Sequence, residues 1–298
     1  MERLLAHLIG CIAVLVMGWA LTGPAHAEFN KFNPVYISRV PRIQIEVAPG
    51  NWGQIDIKDL QRLLEAVARQ QLSDIPPLSR DPLAIYVIPR NDFPEVMLER
   101  NRDGAYVVRL TARDERLYQY AYQFSHELCH IQSHYEKKEL RDGKLPIQNQ
   151  WFEESLCEAA SIFTLQRLAA TWDERPPLRR WIGYGEKFGA YAQQLLSQPH
   201  REVPQEQTFL AWYKANADVL PENPYDREKN ELVAGQLLAI FGNDVTRWQS
   251  IVYLNPYRES AVQSFPKYLL DWYQASPEQN RVPVRAVFQL FGLIPRLE

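Results

Sequence analysis

No run of basic residues interrupts this chain, whose 33 lysines and arginines are outweighed by 36 acids for a net charge of −3. A polyanionic partner needs a concentrated positive face, so nucleic acid is not expected as a ligand. Internal repeats and low-complexity tracts are also missing, which argues against a solenoid or a disordered tail. Beyond the first two dozen residues there is no apolar segment long enough to cross a bilayer. Cysteine is scarce as well: of three in total, one lies in the N-terminal apolar stretch, leaving only Cys129 and Cys157 in the rest.

That N-terminal stretch reads as an export signal. Met1-Glu2-Arg3 precedes an apolar run over 4–21, and Ala25-His26-Ala27 places small residues where signal peptidase prefers them. Residues 1–27 are expected to be removed, giving a secreted or periplasmic protein with no stable membrane span. The rival reading is an uncleaved anchor, since the run is nearly long enough to span. Removing Glu2 and Arg3 leaves the net charge unchanged, and the roughly 270 residues that follow can bury one substantial core.

What is present concentrates in two segments. His126-Glu127-Leu128-Cys129-His130 lies in a stretch, 114–134, that is free of Pro and Gly and carries Leu117, Tyr120, Ala121, Phe124, Leu128 and Ile131 at helical spacing. Histidines four apart on a helix share one face, so both imidazoles can reach a single zinc ion. Glu127 sits off the ligand axis, where a general base can hold a water. About one chain in a hundred of this length carries such a pattern by chance, so its surroundings decide. After a short loop comes Trp151-Phe152-Glu153-Glu154-Ser155-Leu156-Cys157-Glu158, opening a second helical stretch over 152–172. Glu154 can supply a third ligand and leave the fourth position open, as in a His₂Glu catalytic site. Glu153 is the competing candidate, one residue off the face that Glu154 shares with Glu158.

His134, four residues past His130, cannot join the same ion, because eight residues of helix put it about 12 Å from His126. A third histidine further on would need a glycine to turn the chain off the helix; Ser133 stands there, and Glu136 occupies the third-histidine position.

These two segments resemble those of the gluzincin metallopeptidases of thermolysin and aminopeptidase type, and WFEESLCE is particularly similar to the aminopeptidase pattern. The resemblance covers roughly 114–172. It implies a zinc peptidase in which His126, His130 and Glu154 are ligands, Glu127 is the base, and Glu158 accepts an imidazole N–H from a ligand histidine. It also implies an oxyanion donor from the later helices. Tyr225, at a helix start in Asn223-Pro224-Tyr225-Asp226-Arg227, is the first choice, followed by His200 and Tyr184.

The expected fold is α+β and zincin-like, with a small N-terminal α/β lobe (28–138) and a larger all-α lobe (139–298) in one catalytic domain. Strands are expected at 43–47, 83–88 and 105–110, and a helix over 56–72. The 105–110 strand would either edge the cleft and pair with extended peptide, as the resemblance implies, or lie inside the sheet. Beyond Pro146 the punctuation predicts helices over 152–172, 178–197, 208–220, 226–241, 247–254, 265–275 and 284–291. Trp172, Trp181, Tyr184 and Tyr191 could form an aromatic wall for substrate or simply be core.

Cys129 and Cys157 each follow a candidate ligand by three residues, so on packed helices their sulfurs would meet; they form either a disulfide or two buried thiols. The function expected is hydrolysis of peptide or protein substrates. A binding protein on the same scaffold and a zinc hydrolase of other amides are the alternatives. The first of these gives Glu127 no task, and a purely structural zinc would normally be closed by a fourth Cys or His.

Overall fold

Asp56 starts the first helix: its carboxylate accepts from the backbone N–H groups of Lys58 and Asp59, satisfying two of the donors that a helix leaves free at its start. The computed structural model describes residues 42–138 and 148–294. The expected signal peptide and the loop containing Gly143 and Pro146 lie outside the described residues. Strand β1 (Ile43–Val47) leads into helix α1 (Ile57–Asp74) and strand β2 (Leu83–Pro89), followed by the short β3 (Glu95–Val96) and β4 (Tyr106–Leu110).

The four strands form one mixed sheet in the order β1-β2-β4-β3. β1 and β2 are parallel, joined by α1 as crossover. β2 and β4 are also parallel, whereas β3 runs antiparallel to β4 with Glu95 opposite Arg109 and Val96 opposite Val108. The alternating side chains Ile45, Val47, Ile85, Val87, Tyr106, Val108 and Leu110 face one core, together with Leu60, Leu63, Leu64 and Val67 of α1. The strand expected at 105–110 is therefore interior. The sheet's edges are β1 and β3, and β3 is two residues beginning with a charge, too short to show a period in the sequence.

Helix α2 (Leu117–Gln132) carries the HExxH residues. It is shorter than expected at both ends, because Asp114 and His134 take left-handed backbone with φ of 59° each, which an α-helix does not admit. His134 sits just past the helix, beside Glu136.

Helix α3 (Gln150–Thr171) is buried on all sides and belongs to two cores. Ile162, Leu165 and Leu168 pack with the sheet; Trp151, Phe152, Leu156, Ala160 and Phe163 pack with the helices beyond. Packed between two cores, it buries polar residues too, among them Glu153, Ser155 and Glu158. Helix α4 (Gly185–Leu196) packs Phe188, Ala192 and Leu195 into the first core; the helices of the second are α5 (Phe209–Asn216), α6 (Val219–Glu222), α7 (Arg227–Phe241), α8 (Val245–Trp248), α9 (Phe265–Ala275) and α10 (Arg281–Leu290). The helix expected over 178–197 starts only at Gly185, since Gly183 has φ of 81°. That expected over 208–220 divides into α5 and α6, and that over 247–254 into α8 and a 3-10 segment, Gln249–Tyr253.

The class is α+β, with a small mixed sheet and a mostly helical remainder. No helix among the described residues is long and apolar enough to cross a membrane. Trp172 and Trp181 are buried in the first core, and the half-buried Tyr184 and Tyr191 pack against it, so the two tryptophans are core.

Candidate metal centre

Four residues per 3.6-residue turn bring His126 and His130 to one face of α2, and α3 lies against that face. Their Nε2 atoms stand 3.2 Å apart. Glu154 reaches across from α3, with Oε2 at 3.1 Å from Nε2 of His126 and 3.5 Å from Nε2 of His130. Three corners of a tetrahedron around an ion bonded at ~2.0–2.1 Å would be about 3.3–3.4 Å apart. The donor triangle thus has the size a single zinc-like ion requires, and the three residues could hold one. His134 is not part of this group. The site is shielded but not closed: His126 and Glu154 side chains keep 18% and 19% of their exposure.

Helix α3 supplies Glu154 and also the carboxylates beside both imidazoles. Glu153 accepts from Nδ1 of His130 at 2.8 Å, and Glu158 lies 3.8 Å from Nδ1 of His126. At that distance Glu158 is beside the ring nitrogen rather than hydrogen-bonded to it; its own partners are Arg201 Nη2 at 2.6 Å and the Tyr122 hydroxyl. Glu153, the competing ligand in the sequence, faces away from the triangle. It is fully buried, and Lys138 Nζ (2.6 Å) and Asn255 Nδ2 (2.7 Å) complete its shell. The step of one residue on a helix turns a side chain by about 100°, which puts Glu154 in the triangle and Glu153 against the other nitrogen of the His130 ring.

The electrostatics follow from this crowding. Burial alone would depress both imidazoles, but the carboxylates outweigh it: Glu154 and Glu158 hold His126 well above the usual histidine value, and Glu154 with Glu153 raise His130 to about 9. Burial pushes in the opposite sense on the acids, where it would raise them. Both histidines overcome it to bring Glu154 well below the usual range; Lys138 and His130 bring Glu153 to about 2; His126 and Arg201 do the same for Glu158.

Glu127 differs from these acids. It is 3% exposed, and burial raises its carboxyl above the usual value despite the neighbouring histidines, with a backbone hydrogen bond from Val96 lowering it in part. Val96 belongs to β3, so the edge of the sheet meets the HExxH helix at Glu127.

Of the three oxyanion candidates, Tyr225 precedes α7 and is 59% exposed. Partial burial, then the charges of Glu154, Glu153 and Glu95, push its hydroxyl up to about 12, so Tyr225 lies within the electrostatic reach of the donor triangle. Tyr184 does not: its hydroxyl donates to the Glu115 carbonyl at 3.4 Å, before the start of α2 and about 15 Å of helix rise from His126. His200 pairs with Glu231, which also binds Arg201 and Arg227. The sequence reading passed over Tyr122, Lys138, Arg201, Asn255 and Val96. Only Tyr122 carried a signal, four residues before His126 on the same face.

Cys129 and Cys157 are joined in a disulfide with Cα atoms 5.3 Å apart. It ties α2 to α3 one residue before His130 and three after Glu154. No family model matches this chain, and none of the curated proteins compared with it is similar to it.

The raised His130 value sets a pH dependence. Without metal, an imidazole whose pKa rises from about 6.5 unfolded to about 9 folded stabilises the fold fully below pH 6.5, and that contribution fades as pH climbs through 9. Metal requires the neutral ring, so proton and ion compete. Metal affinity is expected to rise between about pH 6.5 and 9, up to tenfold per pH unit for each proton displaced, with proton release measurable by titration in buffers of different ionisation enthalpy. Affinity flat across this window would show that the histidines are not ligands.

Proposed function

We propose that the protein is an exported zinc-dependent peptidase with a zincin-like fold of the gluzincin type. The observation that carries this reading is the convergence of His126, His130 and Glu154 into one ion-sized triangle, with Glu127 buried beside it and outside the ligand set. A structural ion gives Glu127 no role. Zinc, when bound, would polarise a scissile carbonyl and acidify a water. Glu127 takes the proton of the attacking water, and its burial suits it to hold that proton and pass it to the leaving amine. Extended substrate would run along β3, an edge strand, at main-chain groups other than the Val96 N–H that Glu127 accepts, placing peptide backbone next to Glu127. Tyr225 keeps its proton at neutral pH, since its hydroxyl titrates at about 12, and so remains a donor for the developing oxyanion. The disulfide agrees with export into an oxidising compartment.

Purified protein incubated with a peptide library, with and without chelator, tests the proposal. Cleavage that chelator abolishes and zinc restores is the expected result. A metal-loaded protein that cleaves no peptide would overturn it.

A further inference from the structure

Asn255 follows the 3-10 segment Gln249–Tyr253 and lies more than a hundred residues along the chain from Ser133 and Glu153, yet its Nδ2 donates to both. The residue is 1% exposed and has φ of 51°, left-handed backbone that asparagine tolerates better than most residues but that still needs support from its surroundings. Its Nδ2 donates twice, to the Ser133 carbonyl at 2.9 Å and to Glu153 Oε2 at 2.7 Å. Its Oδ1 accepts from the Tyr268 hydroxyl of α9 at 3.0 Å. A carbonyl and a carboxylate can only accept, whereas a phenol can donate, so a single orientation of the amide satisfies all three neighbours.

Both Nδ2 contacts lead toward the donor triangle. Ser133 caps the end of α2, three residues beyond His130. Glu153 is the carboxylate that receives Nδ1 of His130, and with Lys138 and Asn255 it has three donors. Fixing Nδ1 as the protonated nitrogen leaves the Nε2 lone pair for the ion, and fixing the carboxylate fixes the plane of the ring.

We infer that Asn255 is a positioning residue of the metal centre: it clamps Glu153 to the end of α2 and thereby sets the orientation of His130. This rests on the metal reading above. Without the amide, Glu153 keeps only His130 and Lys138 as donors and is free to rotate toward the lysine. The Ser133 carbonyl is left buried with one partner fewer. A loss confined to packing would leave the ligand field of a bound ion unchanged; a loss of positioning alters it.

Asn255→Gly separates these roles, because glycine adopts the same left-handed backbone without cost to its own conformation while removing the amide. Metal affinity measured by competition with a chromogenic chelator is expected to fall about 10- to 100-fold, and the visible spectrum of the Co²⁺-loaded protein is expected to change shape and intensity. Tyr268→Phe removes only the hydroxyl that anchors Oδ1, and should change both readouts in the same direction by a smaller factor. It also serves as the test should Asn255→Gly fail to fold. Parent-like affinity and an unchanged Co²⁺ spectrum in Asn255→Gly, or in Tyr268→Phe where only that variant folds, would overturn the inference while leaving the peptidase proposal intact. A parent protein that takes up no metal would overturn both.

Discussion

Glu127→Gln is expected to retain one metal ion per chain and to hydrolyse peptides about 10²- to 10⁴-fold more slowly, the range that a positioned general base contributes. The amide has the shape of the acid and can still accept the Val96 N–H that Glu127 accepts. Burial already disfavours the charged form of Glu127, so a neutral amide adds little desolvation cost and the fold should be unaffected. The donor triangle does not include this residue. His130→Ala gives the opposite pattern: it deletes a corner of the triangle, leaves Glu153 with one donor fewer, and is expected to lose the tightly held ion together with activity. Metal analysis and peptide assays on the two variants separate chemistry from binding. Full activity in Glu127→Gln would remove it as the base, and one tightly bound zinc per chain in His130→Ala would show that the site lies elsewhere.

The parts of the centre that could be read from the sequence are those set by local periodicity. His126, His130, Glu154 and Glu158 lie on helices whose apolar spacing was clear, and four-residue separations translate directly into shared faces. The ambiguity between Glu153 and Glu154 was also local, but its resolution was not: which of two adjacent carboxylates meets the triangle depends on how α3 is rotated against α2. That rotation is set by the two cores between which α3 lies, with Ile162 and Leu165 on one side and Phe152 and Phe163 on the other. Arg201 and Asn255 come from distant turns and short helical segments, so no spacing connects them to Glu158 or Glu153. The sheet shows the same limit. Alternation identified β1, β2 and β4, but β4 is interior only because a two-residue strand with no period of its own covers its outer side.

The remaining large effect concerns the disulfide. Replacing both Cys129 and Cys157 by Ala is expected to lower stability by about 3–4 kcal/mol, the chain-entropy value for a loop of this size, and the melting temperature by roughly 6–16 °C. The 28-residue separation means that the bond acts mainly on the unfolded chain, where it forbids conformations in which α2 and α3 are far apart. Both sulfur-bearing residues are fully buried, so removing the atoms also costs packing, which adds to the entropic loss. The proposed ligands His126, His130 and Glu154 are untouched, and the double variant should still bind one ion at temperatures where it is folded. This separates a brace between the two ligand helices from a participant in coordination. Calorimetry of parent and variant measures the shift, and thiol titration of the denatured, non-reduced protein checks its premise: neither Cys129 nor Cys157 should react. Two reactive thiols at these positions in protein recovered from an oxidising compartment would mean that the helices are held by packing alone, and the destabilisation of the double variant should then shrink to that of a modest core truncation.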